Sequence, residues 1–163
     1  MAATAPVALA LAGALVGLPP PPPTDPTWLW PVGDGARPAV AASFDAPDGR
    51  WGPGHRGIDL RTAKGADVTA VADGVVTHRG AIAGRGTVSI THDSGVRSTY
   101  EPVASDLAVG DRVRRGQPVG RIGAGANHCA PRTCLHLGAK RAEDYLDPLA
   151  FFGARRVILL PVP

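Results

Sequence analysis

Gly54-His55-Arg56-Gly57-Ile58-Asp59-Leu60 and Thr133-Cys134-Leu135-His136-Leu137-Gly138 are the two stretches that decide how this chain reads. Pro53, Gly54 and Gly57 disfavour helix, so both stretches read as extended chain, where alternate side chains share a face. His55 and Asp59 then point one way while Ile58 and Leu60 point into a core. The same alternation pairs Cys134 with His136 and sets Leu135 and Leu137 opposite them. Two imidazoles and a carboxylate are three of the four ligands of a catalytic zinc centre, whose last position stays open to water. The expected metal ligands are therefore His55, Asp59 and His136, the cofactor is Zn2+, and the chemistry is hydrolysis. Taken singly, each segment is bland: a surface histidine beside a turn-capping aspartate, and a half-buried histidine between leucines. Together they carry the assignment.

Outward from these segments the text is short β-rich runs punctuated by glycine. Val68 to Ala72, the dipeptide Asp73-Gly74 and Val75 to Thr77 read as a hairpin. Gly84-Arg85-Gly86 reads as a second turn, and Thr87 to Thr91 returns through Asp93-Ser94-Gly95 into Val96 to Tyr100. Further runs follow around Val113 and over Gln117 to Ile122. Strands at this spacing predict an all-β fold, a small antiparallel sandwich or open barrel with little helix. Arg141 to Phe152 has some helical character, which Pro148 limits to about a turn. The run from Arg155 to Leu160 reads as a closing strand. His92 and His78 sit beside turns and read as exposed loop histidines.

The 163 residues suffice for one domain with a real core, and 44% hydrophobic residues supply it. The net charge of +3 rests on 17 basic residues, of which only Lys64 and Lys140 are lysines. The arginines are scattered and lack an accompanying aromatic cluster, so nucleic acid is not the expected partner; an anionic polymer such as a cell wall is. Residues 1–18 are apolar and uncharged, too short for a membrane span and of signal-peptide length, although no basic residue precedes them. Residues 19–38 begin with the proline run Pro19 to Pro23 and read as a stiff linker, leaving 39–163 as the folded domain. Trp28, Trp30 and Trp51 are expected to pack at its beginning, with Trp51 also near the groove. The chain is thus expected outside the cytoplasm, secreted or wall-associated. In that setting Cys129 and Cys134, with four residues between them, predict a small disulfide loop, since a zinc ribbon needs a second cysteine pair.

His-Glu-x-x-His, Gly-x-Ser-x-Gly and a phosphate loop are all absent from the sequence. Four ordered segments, Gly54 to Leu60, Val71 to Val76, Gly110 to Gly120 and Leu135 to Gly138, resemble the M23 metallopeptidases, the lysostaphin-like bacterial cell-wall endopeptidases. The resemblance covers roughly Ala39 to Phe152 and implies a small antiparallel β fold with one zinc ion in a groove. It implies hydrolysis of peptide bonds in the stem or cross-bridge of peptidoglycan, by a monomer without a stable membrane span. Residue by residue, it gives the same ligands, His55, Asp59 and His136.

Two positions depart from the family pattern. Cys134 stands where the family carries the first histidine of a His-x-His pair, and Pro102, after Tyr100-Glu101, stands where it carries another. Those histidines orient or deprotonate the attacking water and stabilise the oxyanion; such groups contribute about 10²–10⁴-fold. His128, beside Cys129, is the expected replacement; ligation by Cys134, giving a closed structural site, is the competing arrangement. Glu101 could reach the metal centre but is out of phase with the missing histidine. The alternative function is a non-hydrolytic module that binds wall peptides or regulates a partner hydrolase. A biotinyl or lipoyl carrier fits poorly, since neither Lys64 nor Lys140 occupies a hairpin tip.

Overall fold

The computed structural model describes residues 28–49, 52–124 and 129–153. The apolar leader, the proline run, Trp51, His128 and the 155–160 run lie outside the described residues. Eleven strands follow in chain order: β1 (Val40–Ala42), β2 (Gly57–Arg61), β3 (Asp67–Thr69), β4 (Gly74–Ile82), β5 (Arg85–Thr91) and β6 (Val96–Glu101), then β7 (Val103–Ala104), β8 (Arg112–Val113), β9 (Pro118–Ile122), β10 (Cys134–Arg141) and β11 (Asp144–Leu146). A large sheet runs β1-β2-β10-β6-β5-β4-β8, with β11 added beside β10, and a small sheet runs β3-β9-β7. Every pair is antiparallel. The all-β expectation holds.

The period-two alternation sorts the central strands by face. Ile58, Leu60, Val88, Ile90, Leu135 and Leu137 are fully buried, and one core cluster joins them to Val68, Val119 and Ile122 of the small sheet. Burying such a side chain contributes about 1.5–3 kcal/mol. That is why the leucines flanking His136 fix which way the histidine faces: slipping the register by one residue would expose both.

The Asp73-Gly74 hairpin is corrected. Residues 67–69 pair with β9 in the small sheet, whereas Gly74 opens β4 in the large one, so Asp73-Gly74 is a corner between sheets. The Asp73 carboxylate accepts from the Arg115 backbone N–H at 2.6 Å, and a Cβ on Gly74 would meet the Thr91 carbonyl at 2.6 Å. The dipeptide is used for close approach, a demand that resembles a turn in sequence. The genuine tight turn is Ala83-Gly84, with φ of 49° and 77°, joining β4 to β5; Arg85 and Gly86 already belong to the strand.

The stretch from Arg141 is likewise mostly a β10–β11 hairpin; only Pro148–Phe151 forms a 3-10 turn, capped by the Asp147 carboxylate accepting from Leu149 N–H at 2.9 Å. Trp28 stacks on Phe151 with centroids 4.5 Å apart, and Trp30 on Phe152 at 3.7 Å. The last part of the stretch expected as linker, Trp28 to Val32, therefore belongs to the packed body.

His92 and His78 are not exposed loop residues. His92 is 5% exposed, edge-on to Trp28 at 5.7 Å, and His78 lies within β4 at a bulge, half-buried. His92 is drawn in by Trp28, distant in sequence, and His78 belongs to a strand that runs on past it to Ile82, neither of which the turn setting reveals.

Candidate metal centre

Strand pairing lays the groove face of the large sheet out in rows. Asp59 on β2 lies opposite His136 on β10, which lies opposite Glu101 on β6. The next row is Gly57, Gly138, Thr99 and Ser89, and the row beyond it is Lys140 and Arg97. His55 enters the first row from the segment before β2, where it bridges to Asp45.

The three expected ligands converge. His55 Nε2 is 3.2 Å from Asp59 Oδ1 and 3.1 Å from His136 Nδ1, and the latter is 2.9 Å from the same Asp59 oxygen. The aspartate side chain is 3% exposed and the two imidazoles are 18% exposed, so the donors are sheltered but reachable. His55 Nδ1 donates to the Ser43 carbonyl at 2.7 Å. A carbonyl can only accept, so that nitrogen carries the proton and the neutral ring turns the Nε2 lone pair inward. This is the usual second hydrogen bond of a metal-ligating histidine.

Three acceptor atoms facing one another at this range repel unless a cation or proton lies between them. Tetrahedral zinc ligands at 2.0–2.2 Å are roughly 3.3 Å apart, close to the observed separations. The donor set of two imidazole nitrogens and one carboxylate oxygen therefore fits zinc with an open position. Gly57 is a condition of this geometry, because a Cβ there would stand 2.7 Å from His136 Nε2.

Other expectations fare differently. Cys134 is disulfide-bonded to Cys129, with Cα atoms 5.8 Å apart, so it supplies no thiolate and the closed site with Cys134 as ligand is ruled out. Glu101 lies in the donor row but is held by Arg85, and its Oε2 accepts from the Thr87 hydroxyl at 3.2 Å. Arg85, on β5, was not singled out in the sequence. Neither was the Ser43 carbonyl, which no side-chain pattern signals. The groove has a volume of about 520 Å³ and is lined by His55, His136 and Glu101 together with Arg56, Arg97 and Lys140.

The site is thus a His-Asp-His donor set opening on a groove of an antiparallel β fold. The model of peptidase family M23 matches residues 53–148, and the chain belongs to that family. It is 36% identical over 158 residues to an uncharacterised protein of Mycobacterium tuberculosis, covering 94% of this chain and 63% of that one. It is 31% identical over 110 residues to the DD-carboxypeptidase/endopeptidase Mpg of Neisseria meningitidis, covering 67% of this chain and 24% of Mpg. The structure of Helicobacter pylori Csd3 superposes with a TM-score of 0.60 at 26% identity, covering 78% of this chain and 35% of that one. The chain thus spans less than two thirds of the length of these relatives.

Proposed function

We propose that this chain is an extracytoplasmic zinc endopeptidase that hydrolyses peptide bonds in the stem or cross-bridge of bacterial peptidoglycan. The convergence of His55 Nε2, Asp59 Oδ1 and His136 Nδ1 within about 3 Å of one another, in an open groove, supports this reading most strongly. When bound, zinc supplies a Lewis acid that polarises the scissile carbonyl and lowers the pKa of water. The chain's own groups hold the ion, with His55 oriented by Ser43 and His136 seated against Gly57. Membership of M23 and the activity in the name of Mpg support a peptidase acting on the wall. The Cys129–Cys134 disulfide supports an oxidising, extracytoplasmic location. Among the described residues, no helix is long and apolar enough to cross a membrane.

The acid/base role falls in this proposal to His128. What supports it is adjacency to Cys129, whose disulfide anchors that end of the loop at the start of β10. His128→Ala should then lower turnover by roughly 10²-fold with metal content unchanged.

The second reading, a module that binds wall peptides or regulates a partner hydrolase, draws on Pro102 and the oxidised Cys134 at both family histidine positions. Metal analysis combined with peptide release from purified cell walls, with and without chelator, separates the two. One equivalent of zinc with chelator-sensitive release supports the peptidase; zinc without release supports the module. Absence of zinc, or zinc retained after His55→Ala with His136→Ala, removes the site itself.

A further inference from the structure

Two rows along the sheet from the metal donors, the groove face turns cationic. Arg97 on β6 and Lys140 on β10 are direct cross-strand partners, and both line the groove. Like charges placed opposite one another destabilise a sheet, so a pairing of this kind calls for an anion to offset it. The neighbouring groups do so only at the edge. Lys140 Nζ donates to the Glu143 carboxylate at 3.2 Å, but Glu143 is exposed, and exposed pairs of this sort are weak. Arg97 is exposed. Glu101, on the same strand, is engaged by Arg85 and Thr87.

The end of the row is built around Tyr145, the register partner of Lys140 on β11. Lys140 Nζ and Arg56 Cζ each lie 5.3 Å from its ring centroid, so the ring holds Lys140 and one further cation, Arg56, near one another. Between the donor row and this row lie only Gly57, Gly138, Thr99 and Ser89, small side chains that leave a shallow floor. From His136 to Lys140 the strand advances roughly 13 Å, the length of about four residues of extended peptide.

We propose that Arg97 and Lys140, with Arg56 and Tyr145 beside them, form a carboxylate clamp that selects peptides bearing a free acid about four residues from the metal donors. The clamp rests on the wall-peptide reading above and names its substrate class: acidic stem peptides in preference to their amidated forms. Guanidinium and ammonium groups bind carboxylate by charge-assisted hydrogen bonds, and a carboxamide of the same shape forfeits the charge.

The test is calorimetric titration of the full chain with a soluble peptidoglycan stem peptide carrying free carboxylates, and with the same peptide amidated. The free acid should bind about tenfold more tightly at low salt, the scale of one charge-assisted hydrogen bond. Arg97→Gln with Lys140→Gln should abolish that preference and leave affinity for the amidated peptide unchanged. Where the peptide is turned over, the same ratio is read in KM with kcat unchanged. Equal affinity for the two peptides, or a preference that survives the double substitution, overturns the clamp. Peptide release from cell walls is scored separately. Lost release with an intact acid preference rejects the peptidase and keeps the clamp; release without any preference does the reverse.

Discussion

Two histidine clusters lie on opposite faces of the same large sheet, and they are built on opposite principles. On the groove face, His55, Asp59 and His136 aim acceptor atoms at a common point. On the core face, His92, Ser98 and Tyr100 pass donors to acceptors in a line. His92 Nδ1 donates to the Asp73 carbonyl at 2.7 Å, so Nε2 of the neutral ring accepts from the Ser98 hydroxyl at 2.8 Å. The one Ser98 proton is shared, because the serine hydroxyl is also placed to donate to the Tyr100 hydroxyl at 3.1 Å, which in turn accepts from Val71 N–H at 2.9 Å. Burial pushes the Tyr100 phenol up to about 12, so its proton stays in place. One cluster is satisfied by its own donors and acceptors, and the other gathers atoms that need a cation or a proton between them. A convergence of lone pairs marks a site; a donor-to-acceptor chain marks a support.

The largest effect expected from breaking the contrast is at the convergent cluster. Asp59→Asn keeps shape and removes the charge that would hold an ion together with the two imidazoles. Substituting groups that merely orient ligands typically costs 10–100-fold in metal affinity. Removing a ligand charge should therefore cost at least about 100-fold, read by competition with a chromogenic chelator. Unaltered affinity would mean that the three side chains meet without holding a metal.

The core-face cluster predicts the complementary outcome. Ser98→Ala leaves His92 Nε2 and the Tyr100 hydroxyl without the serine that donates to them, each buried. An unsatisfied buried polar group costs about 1–3 kcal/mol, so denaturant unfolding should show a loss in that range while zinc affinity holds. If Ser98→Ala weakens metal binding as strongly as Asp59→Asn, the two faces are one network and the contrast fails.

The two clusters also differ in how far the sequence betrays them. Asp59 and His136 were legible because Ile58, Leu60, Leu135 and Leu137 alternate with them and fix the faces, while His55 joins them from the segment before β2. Local pattern sufficed for these two strands and for the face each presents. His92 was not legible. Its burial depends on Trp28, sixty-four positions earlier, and on a carbonyl at the Asp73 corner. Arg85 and Glu101 meet only through the β5–β6 pairing, and Arg97 meets Lys140 only through the β6–β10 register. A single sequence shows what a strand presents; it is silent on which strand lies alongside.

A smaller loss is expected where the groove face borders the disulfide. Cys134 lies opposite Arg61, one row beyond the donors, and joins Cys129 across four intervening residues. Closing so short a loop stabilises by about 2 kcal/mol in the chain-entropy description. Cys129→Ser with Cys134→Ser should lower unfolding stability by about that much, measured in denaturant. Zinc should stay bound, because neither sulfur is a ligand. Loss of zinc on reduction would instead tie the loop to the metal centre.

The weakest expected effect is a pH dependence that belongs to the core-face cluster. Burial, opposed by the Asp73 carbonyl bond and nearby carboxylates, holds the His92 pKa below its ordinary 6.5. The folded state therefore favours the neutral ring. Above pH 6.5 the ring is neutral in both states, and the stability it confers is fully present. As the pH falls, the unfolded chain takes up the proton first, so that stability is lost progressively towards the lowered folded pKa. One proton limits the slope to about 1.4 kcal/mol per pH unit. Comparison with His92→Gln isolates this contribution. The wild-type advantage should be greatest near neutrality and shrink as the pH falls from 6.5 towards the lowered folded pKa. An advantage that is constant over that interval, or that grows on acidification, would place His92 in the convergent class rather than the satisfied one.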